Sequence, residues 1–401
     1  MLHNIDNNAE ALAIPAPLRL AFRPLFLGGA LFSIVAMGWW IYFWLQPSGW
    51  APYGGPIWWH GHEMLFGFGA AIVVGFLLTA VQSWTGVRGL RGTPLFVLVI
   101  SWLLGRLSLG FASADSGWWL AAIDLSYMLL ASLAMAYPVI KVNQWRNLIF
   151  VPMLLLLTIL NGVSHWAVLS GQGALAIQAL HGTIMLFVLI IAVLGGRVIP
   201  SFTSNGTGCR KLPPIQWLEA VSIISILCML VFGLVGFANV SSLLLISVAG
   251  IAAIANGWRF LRWGFQYTVS VPLLWSLHLA YAFIPLGFVL LALYGVGMLE
   301  NISAALHSFT VGSIGGMILA MISRVTLGHT GRQLQPPRLM SLAYLLIISA
   351  AVVRVLLPAG WPALASWGIG LAGVAWLLAY GIYVFFYAPM LLKPRVDGSP
   401  G

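Results

Sequence analysis

The chain is short of charge. Only 6% of its 401 residues are Asp, Glu, Lys or Arg, while 61% are apolar. That balance leaves a water-facing surface with almost nothing to hydrate it and excludes a soluble globular domain. Cysteine is limited to Cys209 and Cys228, too few to ligate an iron–sulfur cluster, and no C-x-x-C-H motif offers covalent haem attachment. The first 18 residues carry Asp6 and Glu10 but neither the basic start nor the small-residue cleavage site of a signal peptide. The first apolar helix is therefore expected to stay in the mature protein, with residues 1–18 as a cytoplasmic tail and no soluble domain attached.

What the chain has in abundance is long apolar runs, each close to the roughly 20 residues a helix needs to cross a hydrocarbon core of about 30 Å. Breaks at polar residues, Pro and Gly place helices near 22–46, 58–82, 94–112, 117–138, 147–169, 173–196, 215–236, 240–258, 269–297, 300–322, 339–357 and 362–387. The expectation is an all-α, polytopic membrane protein of twelve transmembrane helices, a single membrane domain over 1–401, with the lipid bilayer as its solvent. The net charge of +10 does not call for nucleic acid. With a cytoplasmic N-terminus, all but two of the eighteen Lys and Arg fall at cytoplasmic helix ends, the asymmetry of the positive-inside rule. Both termini are then cytoplasmic, and the exceptions, Arg106 and Arg354, sit near outer helix ends.

A repeat is visible within the helices. Ala179-Leu180-His181 recurs as Ala305-Leu306-His307, each near the outer start of an even-numbered helix. Each helix then runs inward to an Arg and a Thr-Gly pair: Arg197 and Thr207-Gly208, Arg324 and Thr330-Gly331. His62 followed by Thr85-Gly86 is a third copy. Ile100-Ser101-Trp102-Leu103-Leu104-Gly105-Arg106 resembles Ile348-Ser349-Ala350-Ala351-Val352-Val353-Arg354. These matches divide the chain into three units of four helices, approximately 19–141, 142–262 and 263–392. A threefold arrangement would bring His62, His181 and His307 to one depth around one axis.

Of eight histidines, His3 in the tail and His329 in a cytoplasmic loop are explained by solvent. His60, His62, His165, His181 and His307 fall in the outer half and His278 nearer the inner half. Polar groups at such depths face the bundle interior with a partner. A lone buried histidine is usually no more than hydrogen-bonded to a neighbouring helix, but five at similar depth point to a metal or haem site, since neutral imidazole ligates haem iron, copper and zinc. His60 and His62 point about 200° apart if both are helical, so they serve two centres, or His60 belongs to the preceding loop. Glu63 can orient a ligand, carry protons as the catalytic candidate, or cap the helix start. Arg106 either pairs with Asp124 or joins Arg354 in holding haem propionates. Trp58, Trp59, Trp118 and Trp119 read as an interfacial aromatic belt. Gly67, Gly69, Gly75, Gly312, Gly315 and Gly316 let helices or a flat macrocycle approach closely.

At Trp59-His60-Gly61-His62-Glu63-Met64-Leu65-Phe66-Gly67-Phe68 the sequence resembles the NnrS family of bacterial inner-membrane proteins. The likeness continues through Gly195-Gly196-Arg197-Val198-Ile199-Pro200 and Arg324-Val325-Thr326-Leu327-Gly328-His329-Thr330-Gly331-Arg332. The resemblance implies a haem- and copper-containing protein of the bacterial cytoplasmic membrane that helps cells withstand nitric oxide and nitrosative stress. It does not assign individual histidines to either group. Three groups of four helices with a histidine on the second of each also resemble the catalytic subunits of haem–copper oxidases and nitric oxide reductases, although the run of two adjacent histidines typical of those enzymes is missing here. The expected arrangement is non-covalent b-type haem on His62, His181 or His307, copper among the remaining histidines, nitric oxide as ligand or substrate, and quinol or another membrane electron donor. Rival readings are a proton- or copper-coupled transporter and a non-catalytic nitric oxide sensor. The threefold rather than six-plus-six repeat argues against the transporter.

Overall fold

The computed structural model describes residues 8–47, 49–113 and 116–400; His3 and Asp6 lie outside them. Among the described residues the chain is helical, and twelve helices are long and apolar enough to cross a membrane: α1 (Phe22–Leu45), α2 (Pro56–Thr85), α3 (Thr93–Phe111), α4 (Trp118–Lys141), α5 (Trp145–Leu169), α6 (Gly173–Thr207), α7 (Gln216–Val235), α8 (Ser242–Leu261), α9 (Pro272–Val296), α10 (Ser303–His329), α11 (Arg338–Gly360) and α12 (Pro362–Leu392). The protein is a multi-pass membrane protein.

Burial separates these helices into two groups. In α2, α6 and α10, 78%, 67% and 83% of the most apolar window is inside the protein, against 33–50% for the other nine. The three buried helices are the second of each four. They form the interior, with α6 touching both α2 and α10, while consecutive outer helices pack side by side and α12 returns against α1. Apolar lipid tails give helices no hydrophobic reason to associate, so close packing and interior polar contacts hold such a bundle. The glycines serve that packing: a Cβ at Gly75 would meet Leu25 at 3.0 Å, one at Gly69 would meet Phe187 at 3.0 Å, and one at Gly316 would meet Ala280 at 3.0 Å.

The recurring Thr-Gly pair is a helix stop. Thr85, Thr207 and Thr330 each return their hydroxyl to the carbonyl four residues back. Gly86 and Gly208 then take left-handed conformations, with φ of 69° and 72°, which residues bearing a Cβ adopt poorly. A helix runs on to such a stop even after its first basic residue, because the backbone ladder does not depend on side-chain polarity. For that reason α6 and α10 extend past the expected ends at 196 and 322. His329, expected in a loop, is the last residue of α10 and its ring packs 5.5 Å from that of Phe22.

Two inner helices contain a wide, π-helical stretch: Glu63–Gly69 in α2 and Ser308–Gly315 in α10. Each begins immediately after a histidine, His62 or His307. The widened turn frees backbone carbonyls that a dry interior must satisfy. Aromatic donors from neighbouring helices do so: Trp102 on α3 donates to the Gly67 carbonyl at 2.8 Å, and Tyr380 on α12 to that of Gly315 at 2.9 Å.

Candidate metal centre and histidine cavity

Except for His278, the candidate residues fall into two sites at the end of the bundle where α2 begins. The division starts on α2, where His60 and His62 are two residues apart and so face different ways. Each ring is stacked on a tryptophan: His60 on Trp40 at 4.3 Å and 13°, His62 on Trp58 at 4.5 Å and 26°. Trp58 and Trp59 are therefore not belt residues. Both are buried, and the Trp59 indole donates to the Leu109 carbonyl at 3.1 Å. Trp118 and Trp119 are exposed, as an interfacial belt requires.

His62 turns into a sealed polar knot. Its Nδ1 lies 2.9 Å from Glu63 Oε1, so a carboxylate acceptor there places the ring proton on Nδ1. Its Nε2 also faces acceptors, 2.8 Å from Asn161 Oδ1, whose amide nitrogen donates to Asp124 Oδ2 at 2.6 Å, and 3.3 Å from Asp124 Oδ2 itself, so a proton or a metal ion is needed on that side as well. His165 on α5 repeats the pattern. The Tyr53 hydroxyl donates to the His165 carbonyl and lies 3.2 Å from His165 Nδ1, so Nδ1 is the donor and Nε2 again faces Asp124 Oδ2, at 3.2 Å. Burial pushes the Tyr53 hydroxyl up to about 12, which keeps it a neutral phenol. Arg106 on α3 bridges the two carboxylates, reaching Glu63 Oε1 at 2.5 Å and Asp124 Oδ1. The expected alternative of an Arg106–Asp124 pair is what the structure contains, and this arginine is committed to Glu63 and Asp124 rather than open to a propionate.

Charge in the knot does not balance. One guanidinium faces two carboxylates, all fully buried, and Glu63 Oε2 has no hydrogen-bond partner. Three possible ligand atoms, His62 Nε2, His165 Nε2 and Asp124 Oδ2, lie within 4.8 Å of one another. Such a set repels itself unless a cation, either a proton or a metal ion, sits among it. Both imidazoles are oriented through Nδ1 by a carboxylate or a phenol, the outer support that metal-binding histidines have.

His60 turns instead into a cavity of about 190 Å³, where it meets His181 from α6, His307 from α10 and Arg354 from α11. One histidine thus comes from each inner helix, but the α2 member is His60 rather than His62. His307 gives Nδ1 to the Ser303 carbonyl at 2.8 Å, leaving Nε2 with its lone pair. Arg354 donates to the Ser303 hydroxyl at 3.0 Å. His60 Nδ1 has no partner. Apart from Thr310, the remaining wall is largely apolar, including Met37, Phe68, Leu180 and Trp376. A second, apolar cavity of about 70 Å³ lies between the same three inner helices and shares Ile314 with the first.

His278 on α9 joins neither site; its Nε2 is 2.9 Å from Thr203 Oγ1 and it packs against Phe260 and Phe265. Asn161 and Tyr53 were not anticipated. Asn161 was readable, since it stands four residues before His165 and so on the same helix face.

A multi-pass helical membrane protein with two histidine centres, one buried and one lining a cavity, is the class that fold and sites define. A family model described as NnrS protein matches residues 16–395, and the chain belongs to the NnrS family. A comparison with curated proteins found no match.

Proposed function

We propose that the protein binds haem in the His60–His181–His307 cavity and copper at His62, Asp124 and His165, and that it binds and removes nitric oxide in the bacterial cytoplasmic membrane, with both termini cytoplasmic. The observation that carries this reading is the convergence of three histidines and an arginine, one from each of four helices, on a single apolar-walled space.

The residues suit both groups. Haem asks for an apolar slot, an imidazole lone pair and a cation for its propionates; the cavity supplies these through its walls, His307 or its two companions, and Arg354. Copper suits a set of two imidazoles and a carboxylate, and the knot carries the negative charge that a cation would neutralise. When bound, haem and copper supply one-electron chemistry and open positions for a diatomic ligand. The apolar space around Ile314 suits a small uncharged gas.

Around those groups the protein's own residues have definite tasks. Ser303 fixes the His307 ring through Nδ1, Trp40 holds the plane of His60, and Glu63 offers an unpartnered carboxylate oxygen as proton carrier. Reducing two nitric oxide molecules to nitrous oxide and water takes two electrons and two protons; quinol or another membrane donor supplies the electrons. The test is anaerobic nitric oxide consumption by purified protein with a reduced quinol. Nitrous oxide at half the nitric oxide consumed is the expected result. Consumption without nitrous oxide overturns the reductase reading, and an absorption spectrum without a Soret band overturns the haem assignment.

A further inference from the structure

At the opposite end of the bundle four arginines gather where α1 begins and where α10 and α12 end. Arg23 is the centre of the group. It is 1% exposed, and Arg19, Arg332 and Arg395 lie within electrostatic reach of it. Among the described residues one carboxylate contacts these four guanidinium groups, Asp397, and it is taken on both oxygens by Arg395, at 2.9 Å and 2.6 Å. Arg19 is occupied by the Ile14 and Leu12 carbonyls, both at 2.9 Å.

Helix capping explains part of this arrangement. Arg23 Nη1 donates to the Lys393 and Leu391 carbonyls at 2.7 and 3.1 Å, at the end of α12. Arg395 reaches the His329 carbonyl at 3.1 Å and Arg332 the Thr330 carbonyl at 3.3 Å, at the end of α10. Cations at helix C-termini are favourable. Capping uses only one of the three nitrogens of Arg23, however. Its Nε and Nη2 are buried and have no partner, and that pair is the side-on fork with which a guanidinium grips two oxygens of one oxyanion. A buried cation beside three others, with its fork empty, calls for an anion.

We propose that this end of the bundle holds a binding site for a phosphate-type oxyanion, gripped by the Nε and Nη2 edge of Arg23, with Arg332 and Arg395 supplying surrounding charge. The C-terminal segment closes the site: the Val396 amide bonds to the Thr330 carbonyl at 3.3 Å, and Arg19 reaches the Pro400 carbonyl at 3.5 Å. An anionic phospholipid headgroup and free phosphate share the required chemistry.

The test uses the full chain, purified, stripped of lipid and held in an uncharged detergent. Inorganic phosphate, phosphatidylglycerol and phosphatidylcholine are titrated separately, with the unfolding midpoint and native mass spectrometry as readouts. Saturable stabilisation by phosphate identifies a free anion, and stabilisation by phosphatidylglycerol alone identifies a headgroup; either supports the site. Arg23→Gln and Arg332→Gln should weaken that binding by at least about tenfold, with Arg23→Lys in between because it keeps the charge and loses the fork. Should Arg23→Gln fail to fold, Arg332→Gln decides. No stabilisation by any of the three, equal stabilisation by phosphatidylcholine, or unchanged affinity in the folded variants overturns the proposal.

Discussion

The two histidine sites are neighbours on one helix, yet they solve opposite problems. In the knot around His62, nearly every polar atom is spent on another protein group, and what remains unbalanced is charge: Arg106 against Glu63 and Asp124. In the cavity around His60, polar atoms are few and the walls apolar, and what remains is space with imidazole nitrogens facing it. The first environment suits a small cation and the second a large apolar group with a metal at its centre. The difference comes from helix geometry: a two-residue step turns one side chain inward toward α4 and α5 and the other toward α6 and α10.

Breaking the knot should have the largest effect. Arg106→Met leaves two buried carboxylates with no counter-charge, and the loss should be about 3–5 kcal/mol, read as a lower unfolding midpoint by tryptophan fluorescence. A midpoint equal to wild type would mean the carboxylates are not both ionised. Asp124→Asn keeps the shape and removes one charge; it should lower stability by about 1.5–3 kcal/mol, the range for a hydrogen bond to a charged group, and abolish bound copper in elemental analysis. His307→Ala should be milder, about 0.5–1.5 kcal/mol, because one hydrogen bond is lost and the ring already borders empty space, while haem absorbance should change and copper content should not. His278→Gln removes a bond remote from both sites, costs about 1 kcal/mol or less, and should alter neither group; loss of either would bring α9 into a centre.

The membrane fold was legible because hydrophobic run length is a direct consequence of bilayer thickness: all twelve helices start within three residues of the predicted runs, although α6 and α10 run on past their expected ends. The divergence of His60 and His62 was legible from the helical repeat alone. Which of the two meets His181 and His307 was not, since that depends on the rotation of α2 in the bundle, and the choice of His62 gives way to His60. Trp58 and Trp59 misled for a related reason: a tryptophan at a helix boundary looks the same in sequence whether it faces lipid or a neighbouring helix. The π-helical stretches left only the glycines as a trace. The polar cluster around His329 resembles a connection in sequence, whereas the backbone continues as helix to the next Thr-Gly stop.

Absorption spectra of purified wild type and histidine variants test the separation of the two sites most directly. The account predicts a Soret band in the wild type, its loss in the combined His60→Ala, His181→Ala, His307→Ala variant, and its retention in His165→Ala, which removes copper instead. A Soret band that survives the cavity variant and disappears with His165 would contradict it.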